Sequence, residues 1–224
     1  MCMNTVLITG ISRGIGKALA SKFLTEGYFV IGTSVAGTVD FGHENMSVFQ
    51  LDLSLPLSIE KCSDSIQKLG KKIDIHINNA GALFDEDETV VKVDKLRKTL
   101  EVNLIGAIDF TERIIPILNN GAHIVNISSS AGSLEETGHH SHFLGHYPAY
   151  KISKAAINMY TRTLALRLKN STIISSVNPG WVKTDMGGEE ADITPEQAAD
   201  NIFKFAVSKP DSGLFWYDGE MMPW

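Results

Sequence analysis

The sequence predicts an α/β fold: a doubly wound, mostly parallel sheet of about seven strands with helices on both faces. Three observations carry this. Short apolar, β-branched runs alternate with segments of helical periodicity along the whole chain. Strands separated by helices imply right-handed βαβ units. A glycine-rich turn closes the first strand and opens the first helix. No internal repeat, linker or low-complexity tract interrupts the alternation, and 224 residues suffice for one core but not comfortably for two. Residues 1–224 therefore read as a single domain.

The elements follow in order. TVLIT (Thr5–Thr9) is apolar, β-branched and bounded by Gly10, as a buried parallel strand should be. Helical spacing covers Ile15–Leu24. Tyr28–Thr33 and Ser47–Leu51 read as strands, Leu57–Leu69 as a helix, and Ile73–Ile77 as the fourth strand, ending in NNAG. A long helical pattern spans roughly Val93–Leu118, as one helix or as two, with Pro116 near its end. His123–Ile127 is the fifth strand, Ala149–Leu168 an Ala- and Leu-rich helix, and Thr172–Val177 the sixth strand, closed by NPG. Thr194 is placed to cap a helix over Pro195–Val207, with proline in its first turn. Leu214–Tyr217 completes the set as a short strand.

Composition narrows the partners. A net charge of −6 with no dense Lys/Arg run speaks against a nucleic-acid or anionic-membrane surface, so a small-molecule substrate is expected. No apolar stretch is long enough to span a bilayer. The N-terminus enters a strand after four residues without a basic n-region, so no signal peptide is expected. Cys2 and Cys62 alone make neither a disulfide framework nor a zinc motif, which points to a reducing cytoplasm.

In a doubly wound, Rossmann-like fold, ligands bind beyond the carboxyl ends of the strands. The chemical residues gather at those ends. TGISRGIG (Thr9–Gly16) has the spacing G-x-x-x-G-x-G through Gly10, Gly14 and Gly16. Such a turn lets a phosphate approach the backbone and the free N–H groups of a helix N-terminus. Strand two ends in Gly32–Gly37 without the acid that binds a ribose 2′-hydroxyl, and Arg13 lies in the glycine loop. Both features favour NADP(H) over NAD(H). Asp52, after strand three, reads either as an adenine partner or as an acid near a helix N-terminus. NNAG (Asn78–Gly81), NISSSAG (Asn126–Gly132) and NPGWVKT (Asn178–Thr184) end strands four, five and six.

Between the last two lies HSHFLGHYPAYKISK (His140–Lys154), which holds two overlapping Tyr-x-x-x-Lys matches. Partners four residues apart share a helical face only if the helix is continuous. Pro148 separates Tyr147 from Lys151 and disfavours helical geometry at Tyr147. Tyr150 and Lys154 are uninterrupted, and are the pair selected. The histidines His139, His140, His142 and His146 lack cysteine or well-spaced acids, and the loop's glycines and proline give no fixed face, so no metal is expected. Asp85–Glu88 (DEDE) reads as a solvated loop. Trp181, Trp216, Tyr217 and Trp224 read either as residues that line or cover a pocket or, for any one of them in preference, as core packing.

Together, TGISRGIG, NNAG, EVNLIGA, NISSSAG, YKISK and NPGWVKT resemble the short-chain dehydrogenase/reductase family across essentially the whole chain. The C-terminal third resembles its C-factor and sniffer-type carbonyl reductase branch. The resemblance implies an NADP(H)-dependent carbonyl reductase or alcohol dehydrogenase. It implies Asn103, Ser129, Tyr150 and Lys154 as catalytic residues, with Ser128 and Ser130 as alternatives to Ser129. Tyr150 would be the acid/base, with Lys154 lowering its pKa and holding ribose hydroxyls; Ser129 would steady the substrate oxygen, and Asn103 would support a proton path. It assigns the cofactor to Gly10, Ser12, Arg13, Gly14, Ile15, Gly16, Asp52, Leu53, Asn79, Ala80, Gly81, Tyr150, Lys154, Pro179, Gly180, Val182 and Thr184, with the carboxamide near Thr184. The histidine segment resembles an insertion that shapes a substrate mouth and obstructs subunit packing, so a monomer, dimer or tetramer all stay open. A dinucleotide-binding signalling protein with incidental reductase activity is the alternative function.

Overall fold

The computed structural model describes residues 3–137, 139 and 146–224. Its strands are β1 (Thr5–Ile8), β2 (Phe29–Ser34), β3 (Met46–Gln50), β4 (Ile73–Asn78), β5 (Leu118–Ile127), β6 (Thr172–Asn178), β7 (Leu214–Tyr217) and β8 (Glu220–Met222). They form one sheet in the order β3-β2-β1-β4-β5-β6-β7-β8. Every neighbour pair is parallel except β7 and β8. The strand order reverses between β1 and β4, so the carboxyl ends of these strands open a crevice there.

The helices are α1 (Gly14–Thr25), α2 (Pro56–Lys68), α3 (Val93–Leu100), α4 (Ala107–Ile114), α5 (Pro148–Leu168) and α6 (Pro195–Val207). The two-residue period of β1 decides which helices it meets. Val6 and Ile8 pack with Leu19, Phe23, Ile202 and Phe205 of α1 and α6. Leu7 points the other way, to Ile59, Ile66, Phe110 and Ile114 of α2 and α4. Both faces of the strand are buried, which is why it reads as an apolar run rather than an alternation. Ile124 and Ile174 meet Leu164 and Ala165 of α5.

Three expectations are corrected. The sheet has an eighth strand, reached by a two-residue turn in which Asp218 and Gly219 both have positive φ. An Asp-Gly pair is the usual signal for such a hairpin. The helical pattern over 93–118 takes its two-helix form, but it ends before Leu118. A π-helical turn (Glu101–Gly106) separates α3 from α4, and a 3₁₀ turn (Ile115–Ile117) containing Pro116 ends the helical run. Leu118 already belongs to β5 and pairs with Ile73; Asn119 Nδ2 donates to Asp74 Oδ1 at 2.7 Å. Third, Asp85 is not solvated: it is 1% exposed. Thr194 does cap α6, in a reciprocal box with Gln197. No helix among the described residues is long and apolar enough to cross a membrane.

Two histidines are sealed in the core. His76 lies against Phe110, and His123 bridges the Ala206 carbonyl and the Ser175 hydroxyl, each at 2.9 Å. Burial lowers both from 6.5 to about 4. Between those values the unfolded chain binds more protons than the native one, so stability falls as pH drops through this window. Urea unfolding between about pH 7 and pH 4.5 should show a loss of roughly 2 kcal/mol for each histidine. A His76→Met/His123→Gln variant, whatever its absolute stability, should lose that part of the slope.

Candidate active site

The carboxyl edge of the sheet opens into a cavity of about 1400 Å³. Each sequence-selected site residue except Asn103 lines it. The glycine turn forms one wall. A Cβ on Gly16 would lie 2.0 Å from the Gly10 carbonyl oxygen, so only glycine lets the chain fold back there. Helix α1 starts at Gly14 with no side-chain cap and no acid in its first turn. Its free N–H groups and positive dipole end therefore suit an anion, which fits the dinucleotide phosphates implied by the sequence. Thr9 Oγ1 accepts from the backbone N–H groups of Asn79 and Ala80, both at 3.0 Å, and Asn79 Nδ2 donates to the Thr9 carbonyl at 2.9 Å. NNAG is thus tied to the glycine turn.

Arg13 is exposed and forms an ion pair with Asp185, which lies in the loop after NPGWVKT. No carboxylate follows β2 until Asp40, and that side chain is bound by Lys17 at 2.7 Å. Asp52 lines the cavity, and its Oδ1 accepts from the N–H and hydroxyl of Ser54 ahead of α2.

Helix α5 supplies Tyr150 and Lys154. Tyr147, with φ 60°, is outside the helix and Pro148 is its first residue, as the proline argument requires. Both tyrosines line the cavity. A Cβ on Gly132 would meet the Lys154 backbone at 2.7 Å, so glycine lets the NISSSAG loop sit directly against α5. The Ser129 hydroxyl is in hydrogen-bonding contact with Tyr150 and accepts from Ala131 N at 3.1 Å. Ser128 instead points to the Lys154 carbonyl, at 3.4 Å, and is buried. This separates Ser129 from its neighbour, while Ser130 shares the cavity wall.

The expected lowering of Tyr150 by Lys154 is not what the geometry gives. Burial pushes the phenol up to about 12, and the Ser129 hydrogen bond opposes only part of that. Lys154 Nζ lies 5.4 Å from the ring centroid and donates to the Ile127 carbonyl at 2.8 Å. Burial lowers the lysine from 10.5 to about 8. Tyr150 is therefore a neutral phenol near neutrality, beside a lysine that is still mostly charged.

Asn103 sits behind the cavity in the π-helical turn, 5% exposed. Its Oδ1 accepts from Ala82 N at 2.7 Å, and its Nδ2 donates to the Ala82 carbonyl at 2.9 Å and Ser153 Oγ at 3.1 Å. The side chain thus clamps the segment after NNAG to α5. Sequence reasoning missed Phe84, Met221 and Met222, which also line the cavity. The last two ride on β8, for which Asp-Gly was the available signal. Trp181 and Tyr217 line the cavity, whereas Trp216 packs in the core and Trp224 stacks on Phe215 at 5.6 Å. His140 and His142 lie outside the described residues. Among those described, no group of three or more His, Cys, Asp or Glu is arranged to hold a metal.

A family model for short chain dehydrogenase matches residues 4–196. The chain belongs to the short chain dehydrogenase family. The dehydrogenase is 29% identical over 231 residues to 1-hydroxy-2-glutathionyl-2-methyl-3-butene dehydrogenase of Rhodococcus sp. (strain AD45), covering 99% of this chain and 100% of the relative. Its structure is similar to NADPH-bound carbonyl reductase from chicken fatty liver (TM-score 0.89, 26% identity, covering 100% and 95% of the two chains). It is also similar to the carbonyl reductase Sniffer of D. melanogaster (TM-score 0.85, 27% identity, 100% of both chains). The dehydrogenase is thus an oxidoreductase of the carbonyl-reductase-like branch.

The two opposed pKa shifts make a measurable signature. The unfolded chain binds more protons at Lys154 between about pH 8 and 10.5, so the native protein gains stability across that window. Relative to a Lys154→Met variant, it should gain about 2 kcal/mol between roughly pH 7.5 and 10, read by denaturant unfolding.

Proposed function

We propose that the protein reduces a carbonyl compound with NADPH, using Tyr150 as proton donor. The observation that carries this reading is the convergence of the neutral Tyr150 phenol, its Ser129 partner and the Lys154 ammonium on the cavity that the glycine turn also lines. When bound, the reduced nicotinamide supplies a hydride to the carbonyl carbon. Ser129 donates a hydrogen bond to the substrate oxygen and steadies its developing charge. Tyr150 delivers the phenolic proton to that oxygen, completing the alcohol. The raised pKa of Tyr150 then drives reprotonation of the phenolate from solvent. A phenol raised to about 12 is protonated at neutral pH, so Tyr150 carries the proton that reduction consumes.

Gly10, Ser12, Gly14, Ile15 and Gly16 would hold the pyrophosphate, and Lys154 the nicotinamide ribose. Pro179, Gly180, Val182 and Thr184 would flank the nicotinamide. Asp52, Leu53, Asn79, Ala80 and Gly81 would line the adenosine side. The absence of an acid at residues 34–37 supports NADPH over NADH, as do Arg13 and the NADPH named for the chicken enzyme.

Across a panel of aldehydes and ketones, Tyr150→Phe should cut kcat by about 10²–10⁴ while leaving NADPH affinity within a few-fold. Tyr147→Phe should stay within about fivefold of the native rate, since its hydroxyl has no acid role. The reverse pattern would sink the assignment. Absence of any turnover by the native protein, together with tight NADPH binding, would favour the sensor reading.

Titration should show NADPH binding tighter than NADH. Arg13→Ala should weaken NADPH about tenfold and leave NADH nearly unchanged, whereas Asp185→Asn, which frees the guanidinium, should tighten NADPH.

A further inference from the structure

Helix α5 lacks a cap of its own. Its preceding residue, Tyr147, has a left-handed backbone and makes no side-chain capping bond, and its first residue, Pro148, has no N–H to satisfy. The first available donor is Ala149 N, which is 1% exposed and out of reach of water. It donates at 2.6 Å to Oδ2 of Asp85, which is 64 positions away in sequence. Asp85 is equally buried, and among the described residues its Oδ1 has no hydrogen-bond partner. A carboxylate sealed from water is costly unless it meets donors or a positive dipole end. Here it meets both at the start of α5. The same loop makes a second attachment, because Tyr147 N donates to the Glu88 carbonyl at 3.2 Å. The loop is itself tied down by Glu88 and Lys95 at 2.7 Å.

The residue after Ala149 is Tyr150. We infer that Asp85 is a positioning residue for the reaction: a remote cap that fixes where α5 begins, and therefore where the Tyr150 hydroxyl stands over the cavity. This rests on the catalytic reading of Tyr150. The Asp85 carboxylate acts through the Ala149 amide and does not itself line the cavity. Lys154, one turn further along, is held independently by the Ile127 carbonyl, so the cap controls the tyrosine more than the lysine.

The test compares Asp85→Ala with Asp85→Asn, which keeps an acceptor at the same place. Steady-state kinetics, NADPH titration and amide hydrogen exchange are measured well below the melting temperature of each variant. Asp85→Ala should lower kcat roughly 30–100-fold, the scale of a small misplacement of a catalytic group, with NADPH affinity within about twofold. Exchange should rise at least about tenfold at Ala149–Ser153 and stay unchanged in the rest of α5. Asp85→Asn should recover most of both, since asparagine caps about as well as aspartate. The inference is overturned if Asp85→Ala keeps kcat within threefold. It is also overturned if cofactor affinity and exchange change throughout the protein, which would make Asp85 a general support of the fold. A native protein without turnover would defeat the catalytic reading alone. Exchange confined to the first turn of α5 would then still establish the cap, and unchanged exchange would refute it.

Discussion

The position of α5 against the sheet depends on one buried chain of polar contacts. Asn78 Nδ2 donates to Asn126 Oδ1 at 2.8 Å, and Asn126 Nδ2 donates to Thr161 Oγ1 at 2.8 Å. The Thr161 and Ser176 hydroxyls lie 3.1 Å apart, Ser176 Oγ donates to Asn158 Oδ1 at 2.8 Å, and Asn158 Nδ2 reaches the Gly132 carbonyl at 3.2 Å. The chain links β4, β5, β6, α5 and the loop carrying Ser129. An apolar interface could slide by part of a turn at little cost. A buried polar network cannot, because any slip leaves donors and acceptors unpaired in a medium without water. Rotating α5 would break this chain and carry Tyr150 away from Ser129 in the same motion.

This network explains both what the sequence disclosed and what it hid. Asn78 and Asn126 belong to motifs that were grouped as site signatures, yet their side chains face the core and hold the scaffold. The residues beside them, Asn79 and Ser129, face the glycine turn and the cavity. Strand alternation separates the two roles. The parallel sheet, the glycine turn and the preference for Tyr150 over Tyr147 were legible because each follows from a local rule: burial period, glycine spacing, and the effect of proline on its predecessor. Asp85 was not legible. Nothing local distinguishes it from the other acids of DEDE, and its burial comes from a contact 64 positions away. The start of β5 at Leu118 was hidden for a similar reason, since Asn119–Gly121 looks like a turn until Asp74 and Ile73 pair with that segment.

The electrostatics of the pair also arise from tertiary packing. From sequence alone, a lysine four residues from a tyrosine suggests mutual stabilisation of the charged forms. The fold instead buries Lys154 and partly buries Tyr150 against the cavity, and desolvation dominates each: the phenol rises and the ammonium falls. The two shifts have the same origin, because low dielectric disfavours charge of either sign. They leave Lys154 as a costly buried cation that donates to the Ile127 carbonyl, and Tyr150 as a protonated phenol. The fold tolerates that cost because the polar chain, the Gly132 contact and the Asp85 cap hold α5 at several separate points.

The opposite wall of the cavity is where local bonding matters most. The segment after NPG is not a loose strap. Lys183 N donates to the Ile193 carbonyl at 2.8 Å, Asp192 N donates to the Trp181 carbonyl at 3.0 Å, and Trp181 Nε1 donates to the Gly187 carbonyl at 2.7 Å. The loop is therefore built as a unit around Trp181, whose expected role was core packing. It touches the glycine turn at two places. Arg13 pairs with Asp185, and a Cβ on Gly14 would lie 3.2 Å from Thr184. On the proposed reading, an NADPH phosphate at the glycine turn would compete with Asp185 for Arg13. Binding there would be coupled to the loop around Trp181 through a charge exchange that needs no movement of the sheet.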